Sequence, residues 1–148
     1  MRFILITATL LFISLNSISK DNKEPVNRIL FIFDASQSML GKWQSGRKID
    51  IAKRLLINMV DSLKDVKNLE LGLRVYGHKS HYPPQDCDDS YLEVNFLNSF
   101  NAADIIKKEL AVVKSRGTTP IARSLEEGAK DFPDDKGRNI VILITDGK

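Results

Sequence analysis

Two stretches of this chain are apolar almost without interruption, and both end on an aspartate. RILFIFD (28–34) and RNIVILITD (138–146) lack polar alternation, the pattern of strands covered on both faces in a parallel sheet. Between them the period changes. Ile49, Ala52, Leu55, Leu56, Met59, Val60 and Leu63 recur at helical spacing, which predicts an amphipathic helix over 49–63 with these side chains inward. LELGLRVYG (69–77) alternates as a strand should, and YLEVNF (91–96) reads as a short edge strand. Two further helices are predicted: 102–113, with Ala103, Ile106, Leu110 and Val113 inward, and 120–132, with Ile121, Leu125, Ala129 and Phe132 inward. The segment GHKSHYPPQDCDDS (77–90) has no period and reads as a long loop of the kind that often carries function.

This order of elements predicts an α/β fold: three layers, a doubly wound and mostly parallel sheet, and one short antiparallel edge strand. In such sheets ligands bind at the carboxyl ends of strands where the winding reverses. Asp34 and Asp146 stand at two such ends.

The ends of the chain refine the domain layout. MRFILITATLLFISLNSIS carries one cation, Arg2, an apolar run over 3–13 and small residues at Ser17 and Ser19. That is the layout of a secretory signal peptide over 1–19, with an apolar run too short for a membrane span. An uncleaved anchor is the alternative. Residues 20–27, with Pro25, read as a linker, and 28–148 as one domain, in keeping with 43% hydrophobic and 28% charged residues. The expectation is export to the periplasm, cell surface or medium, with no membrane span after cleavage. Composition holds 22 Lys+Arg against 19 Asp+Glu, and removing Arg2 with the leader leaves 21 against 19. A balance this near neutral argues against nucleic acid as a partner. Cys87 is the single cysteine, worth noting in an exported chain.

The chemistry gathers around the two aspartates. Asp34, Ser36 and Ser38 alternate in the turn leaving the first strand, so their side chains point the same way if that turn is extended. Pro120 suits the first position of a helix, which makes Thr119 its N-cap and carries a third hydroxyl to the same sheet edge. Two carboxylates and three hydroxyls form an all-oxygen set suited to a hard divalent ion, Mg2+, Mn2+ or Ca2+. Hydroxyls as direct ligands leave such an ion short of negative charge, so it seeks an acidic ligand from outside.

Three motifs carry a family resemblance. DASQS matches the D-x-S-x-S of the metal-ion-dependent adhesion site of von Willebrand factor type A domains, GTTPIA resembles their threonine loop, and ILITDG resembles their final aspartate strand. LRVYGH followed by an acidic, cysteine-bearing turn resembles exported bacterial members. The likeness covers about 28–148 and implies a Rossmann-like fold. It implies Ser36, Ser38 and Thr119 as direct or near-direct ligands of a divalent cation, Mg2+ first, with Asp34 and Asp146 acting through water and Thr118 as the alternate threonine. It further implies a non-enzymatic binding module whose ion is completed by an Asp or Glu of a protein partner, with Lys42, Trp43 and the 77–90 loop selecting that partner. Domains of this type continue past the final aspartate, so the resemblance implies a partial chain and a partner for Cys87 beyond Lys148. Without a continuation, 139–145 would form an exposed apolar edge.

Plainer readings stand beside these. Asp34, Ser36 and Ser38 taken singly suit turns that bond their own backbone. His78 and His81 lack zinc-type spacing and read as surface histidines. Asp86, Asp88 and Ser90 faintly resemble a calcium loop, but Tyr91 and Leu97 stand where glycine and glutamate are needed, so they read as solvated acids. A scaffold with a vestigial metal site is one rival function. A metal-dependent phosphohydrolase is another, weakened because Ser36 replaces the second aspartate and neither a G-x-S-x-G elbow nor a phosphate-binding glycine loop is present.

Overall fold

A computed structural model describes residues 25–44 and 46–147; the expected signal peptide and most of the linker lie outside this range. Four strands form the main sheet: β1 (Asn27–Asp34), β4 (Leu69–Tyr76), β5 (Ser90–Asn98) and β6 (Arg138–Ile144), in the order β5-β4-β1-β6. β1 runs parallel to both β4 and β6, while β5 pairs antiparallel with β4. A two-stranded ribbon, β2 (Lys42–Trp43) with β3 (Gly46–Arg47), leads into α1 (Lys48–Leu63). The remaining helices are α2 (Ser99–Val112) and α3 (Ile121–Lys130).

Alternation along β1 divides the core in two. Phe31 and Phe33 pack with Leu71, Leu73 and Val75 against Leu56 and Val60 of α1 and Ile106 and Leu110 of α2. Leu30 and Ile32 face the other way, with Tyr76, Leu92, Ile121 and Phe132, beneath α3. The three layers and the mostly parallel sheet are those expected from the sequence. β1, flanked on both sides and fully covered, explains the unbroken apolar run.

Several details differ from expectation. β5 is not short: it spans nine residues, with irregular register around Leu73. α2 starts three residues earlier than predicted because Asn98 caps it, accepting the Asn101 N–H at 3.0 Å. Leu55 and Met59 of α1 are exposed, at 56% and 36%. The apolar stripe of α1 is wider than the surface covering it, and Leu55 lines a groove together with Ile144 of the edge strand β6. β6 itself, expected to be covered, leaves Ile140 and Val141 exposed, since its described pairing is with β1 alone.

α3 turns a different face inward. Its buried positions are Ser124 and Gly128, while Leu125 is 40% exposed and Ala129 is also exposed. A Cβ on Gly128 would stand 3.0 Å from Ile32 Cδ1 and 3.1 Å from Leu30 Cδ2, so glycine lets the helix lie close on the sheet. Ser124 returns its hydroxyl to the Pro120 carbonyl at 2.8 Å, which makes a polar residue acceptable there. Two buried arginines clamp the periphery. Arg28 bonds Glu70 at 2.7 Å and Asp135 at 2.6 and 2.7 Å. Arg74 holds Asp131, just past α3, through two bonds of 2.7 Å.

Candidate functional site

β1 and β6 are neighbours in parallel register, Phe33 opposite Ile144, so Asp34 and Asp146 reach the same carboxyl edge of the sheet. There the chain turns. Ser36 leaves the strand extended and opens a short 3-10 turn, Gln37–Leu40. The Ser36 N–H donates to Asp34 Oδ1 at 2.8 Å, which fixes the carboxylate beneath the turn. Its hydroxyl lies 3.2 Å from that of Ser38, and the Ser38 hydroxyl donates to Asp146 Oδ1 at 3.3 Å. Asp34, Ser36, Ser38 and Asp146 therefore form one hydrogen-bonded chain across the ends of two neighbouring strands, although the turn that carries the serines is 3-10 from Gln37 and not extended throughout.

The threonine loop joins this edge through backbone contacts. Ser36 and Gly117 form a parallel bridge, and Gln37 N–H donates to Gly117 O at 2.9 Å. Gly77 makes the approach possible. It sits at φ +70°, and a Cβ there would come within 2.5 Å of Thr118 O and 2.8 Å of Ser36 Cα; no other residue fits without moving the threonine loop off the serine turn. Ser38 and Thr119 consequently line one cleft of about 350 Å³ with Gln37, Tyr82 and Gln85.

The two threonines differ. Thr118 donates its hydroxyl to the Asp86 carbonyl and so ties down the 77–90 loop. Thr119 is not the N-cap that was expected: Pro120 holds that position and makes no side-chain cap bond. The Thr119 carbonyl, not its hydroxyl, meets the helix start, accepting Ile121 N–H at 2.9 Å. Its hydroxyl is thus not used as a helix cap.

Three contributors were not visible in the sequence. Thr145 donates its hydroxyl to Asp34 Oδ2 at 2.8 Å, as a residue opposite Asp34 in the β1–β6 register can. Lys48, the first residue of α1, places its ammonium 2.6 Å from Asp146 Oδ2. Tyr76 lies beside Asp34, and burial together with that carboxylate raises the phenol well above its usual range. Only the signal for Thr145 could have been found beforehand, by counting register from the two aspartates.

Electrostatically the site holds negative charge in a dry place. Asp34 is fully buried and Asp146 is 7% exposed. The hydrogen-bond donors that Asp34 meets are an N–H and a hydroxyl, both neutral, and a buried carboxylate without a cation carries an uncompensated desolvation cost. Among the described residues no cluster of three or more His, Cys, Asp or Glu side chains is built to hold a metal. An ion here would rest on hydroxyls and two carboxylates, a donor set that fits Mg2+ or Mn2+ and suits zinc poorly.

The rest of the proposed surroundings divide. Trp43 is 57% exposed and, with Lys42, Lys48, Ile51, Leu55, Ile144 and Asp146, lines a groove of about 500 Å³ beside the site. His81 is exposed, but His78 is not the surface histidine expected: its ring is buried, with Nε2 3.0 Å from Glu93 Oε1. Asp86 and Asp88 hold the loop and the surface, Asp86 accepting the Ser80 hydroxyl at 2.5 Å and Asp88 pairing with Arg123 at 3.2 Å. The loop's anchor is Asp89, fully buried and accepting the N–H groups of Lys79 and Ser80. Cys87 is exposed and unpaired among the described residues.

No family model matches the chain. A Bacillus subtilis (strain 168) protein, YwmD, described as uncharacterized, is 33% identical over 130 residues, 85% of this chain and 57% of its own length. Among solved structures, the PilB minor pilin from Streptococcus sanguinis matches with a TM-score of 0.66 at 19% identity, over 83% of this chain and 30% of that one. The vWF domain of the type V pili tip protein Mfa5 from Porphyromonas gingivalis matches with a TM-score of 0.59 at 16% identity, over 83% and 38%. The chain thus spans little more than half of YwmD and about a third of either pilus protein.

Proposed function

We propose, on the premise of a von Willebrand factor type A fold, that this chain is an exported protein-binding module that works through a divalent cation. Ser36, Ser38 and Thr119 supply hydroxyl ligands, and Asp34 and Asp146 hold the ion from behind, through water. The ion supplies an electrophilic point that takes a carboxylate from a protein partner. Mg2+ is the expected ion, with Mn2+ able to replace it. Trp43, Lys42 and the 77–90 loop flank the point where a partner would arrive.

The observation that carries this reading is the state of Asp34: wholly buried, hydrogen-bonded among the described residues to neutral donors, and linked through Ser36 and Ser38 to a second carboxylate. Burying charge this way is costly for a scaffold and useful for a site that receives a cation. The pilus context of PilB and Mfa5 agrees with a role outside the cytoplasm, and among the described residues no helix is long and apolar enough to cross a membrane.

Isothermal titration with Mg2+ tests the reading. The wild-type chain is expected to give a saturable heat that Asp34→Ala abolishes. Equal heats in the two proteins would contradict it, and no heat in either would leave a scaffold with a vestigial site.

A further inference from the structure

The carboxylate of Asp146 is divided between two environments. One oxygen accepts the Ser38 hydroxyl and so belongs to the hydroxyl cluster, while the other takes the Lys48 ammonium at 2.6 Å. Lys48 is fixed at both ends. Its backbone N–H donates to Gly41 O at 2.9 Å at the start of α1, and its side chain passes Gly41, where a Cβ would stand 3.7 Å from Cε and 4.0 Å from Nζ. The pair is mostly buried, with the lysine side chain 18% exposed and the aspartate 7%. Salt screens such a pair weakly, and its charge acts strongly on anything bound nearby.

Counting charge gives the consequence. Among the described residues Asp34 and Asp146 bring two negative charges and Lys48 one positive charge, so these three groups together carry a single net negative charge before any ion arrives. A divalent ion reverses that sign, and a carboxylate from outside then restores neutrality. We infer that Lys48 is a resident countercharge that holds down the site's affinity for the ion alone and raises the loaded site's affinity for an anionic ligand. The ion and the carboxylate attract one another directly, so each binds better when the other is present, and Lys48, by weakening the ion alone, makes occupancy of the site depend on the anionic partner. It acts through Asp146, as a positioning residue and not a ligand. This rests on the cation site proposed above.

The test is Mg2+ titration of the full chain, in chloride and in acetate, with acetate as the carboxylate probe. Lys48→Met is expected to bind Mg2+ about tenfold more tightly than wild type, and acetate is expected to tighten that binding less than in wild type. Lys48→Gln, which keeps a polar contact for Asp146, should behave likewise, and Lys48→Arg should stay within about twofold of wild type. Melting curves in EDTA confirm that each variant is folded. Neutral variants that bind Mg2+ no more tightly than wild type, while Asp34→Ala still abolishes the heat, would overturn the role of Lys48 and leave the cation site standing. Heat in the neutral variants but not in wild type would support it, and heat in none of them would overturn both.

Discussion

Two aspartates beside the same sheet are treated in opposite ways. Asp131, just past α3, receives the Arg74 guanidinium through two bonds of 2.7 Å, and Arg74 also donates to the Ser90 carbonyl at 3.0 Å. Asp34, at the end of β1, is more deeply buried and receives one N–H and one hydroxyl. A carboxylate whose task is to hold elements together brings its own cation from within the chain. On the function proposed above, Asp34, left with neutral donors and linked through the two serines to a second carboxylate, takes its cation from outside, at a cost in stability. Asp146 lies between these cases, sharing itself between a hydroxyl and Lys48.

Substitution should separate the two kinds. Arg74→Ala leaves Asp131 largely buried without its partner and is expected to cost about 3 kcal/mol in urea denaturation. Asp34→Asn without divalent ions should stay within about 1 kcal/mol of wild type, because it removes a buried charge that no cation among the described residues contacts directly. The same variant should lose any Mg2+-dependent rise in melting temperature. A large loss from Asp34→Asn in EDTA would place Asp34 with Asp131 as a structural carboxylate and erase the contrast.

A smaller effect concerns the loop. Burial lowers the pKa of His78, with the Glu93 hydrogen bond pulling it upward. Since the native value lies below that of the unfolded chain, stability is complete above about pH 6.5 and declines below it, as the unfolded chain takes up a proton first. The decline is expected to be shallow, and His78→Gln should flatten it further between about pH 7 and about pH 5. Melting curves across that range are the check; an identical slope in the variant would remove His78 as the cause. Asp89, which the backbone of this loop encloses, gives a third way to keep a buried carboxylate: amides in place of a cation.

The fold was largely legible because the apolar composition of β1 and β6 announces parallel strands, although only β1 is covered as its composition suggests and β6 is exposed along its first half, and the aspartates follow directly from where those strands stop. Ser36 and Ser38 were legible from spacing alone. Contacts between remote segments were not. Nothing local to Lys48 says that the first residue of α1 reaches Asp146, just past β6, and the φ of Gly77 depends on a threonine loop forty residues away. The inward face of α3 was misread for a related reason. Ser124 and Gly128 have little hydrophobic signal, yet close approach to Leu30 and Ile32 requires small residues there. Periodicity locates an apolar stripe; it does not say how near the neighbour stands. For Thr119 the helix began one residue later than Pro120 suggested, which moved the cap off the threonine.

On the function proposed above, oxygens from the β1 turn, the threonine loop and the segment just past β6 close on one divalent ion. A crystal of the full chain soaked in Mn2+ tests it most directly, through the anomalous signal. A single strong peak is expected, bounded by the hydroxyls of Ser36, Ser38 and Thr119, with Asp34 and Asp146 behind it. Manganese found elsewhere, or that position left to the Lys48 ammonium and ordinary water at saturating Mn2+, would contradict it.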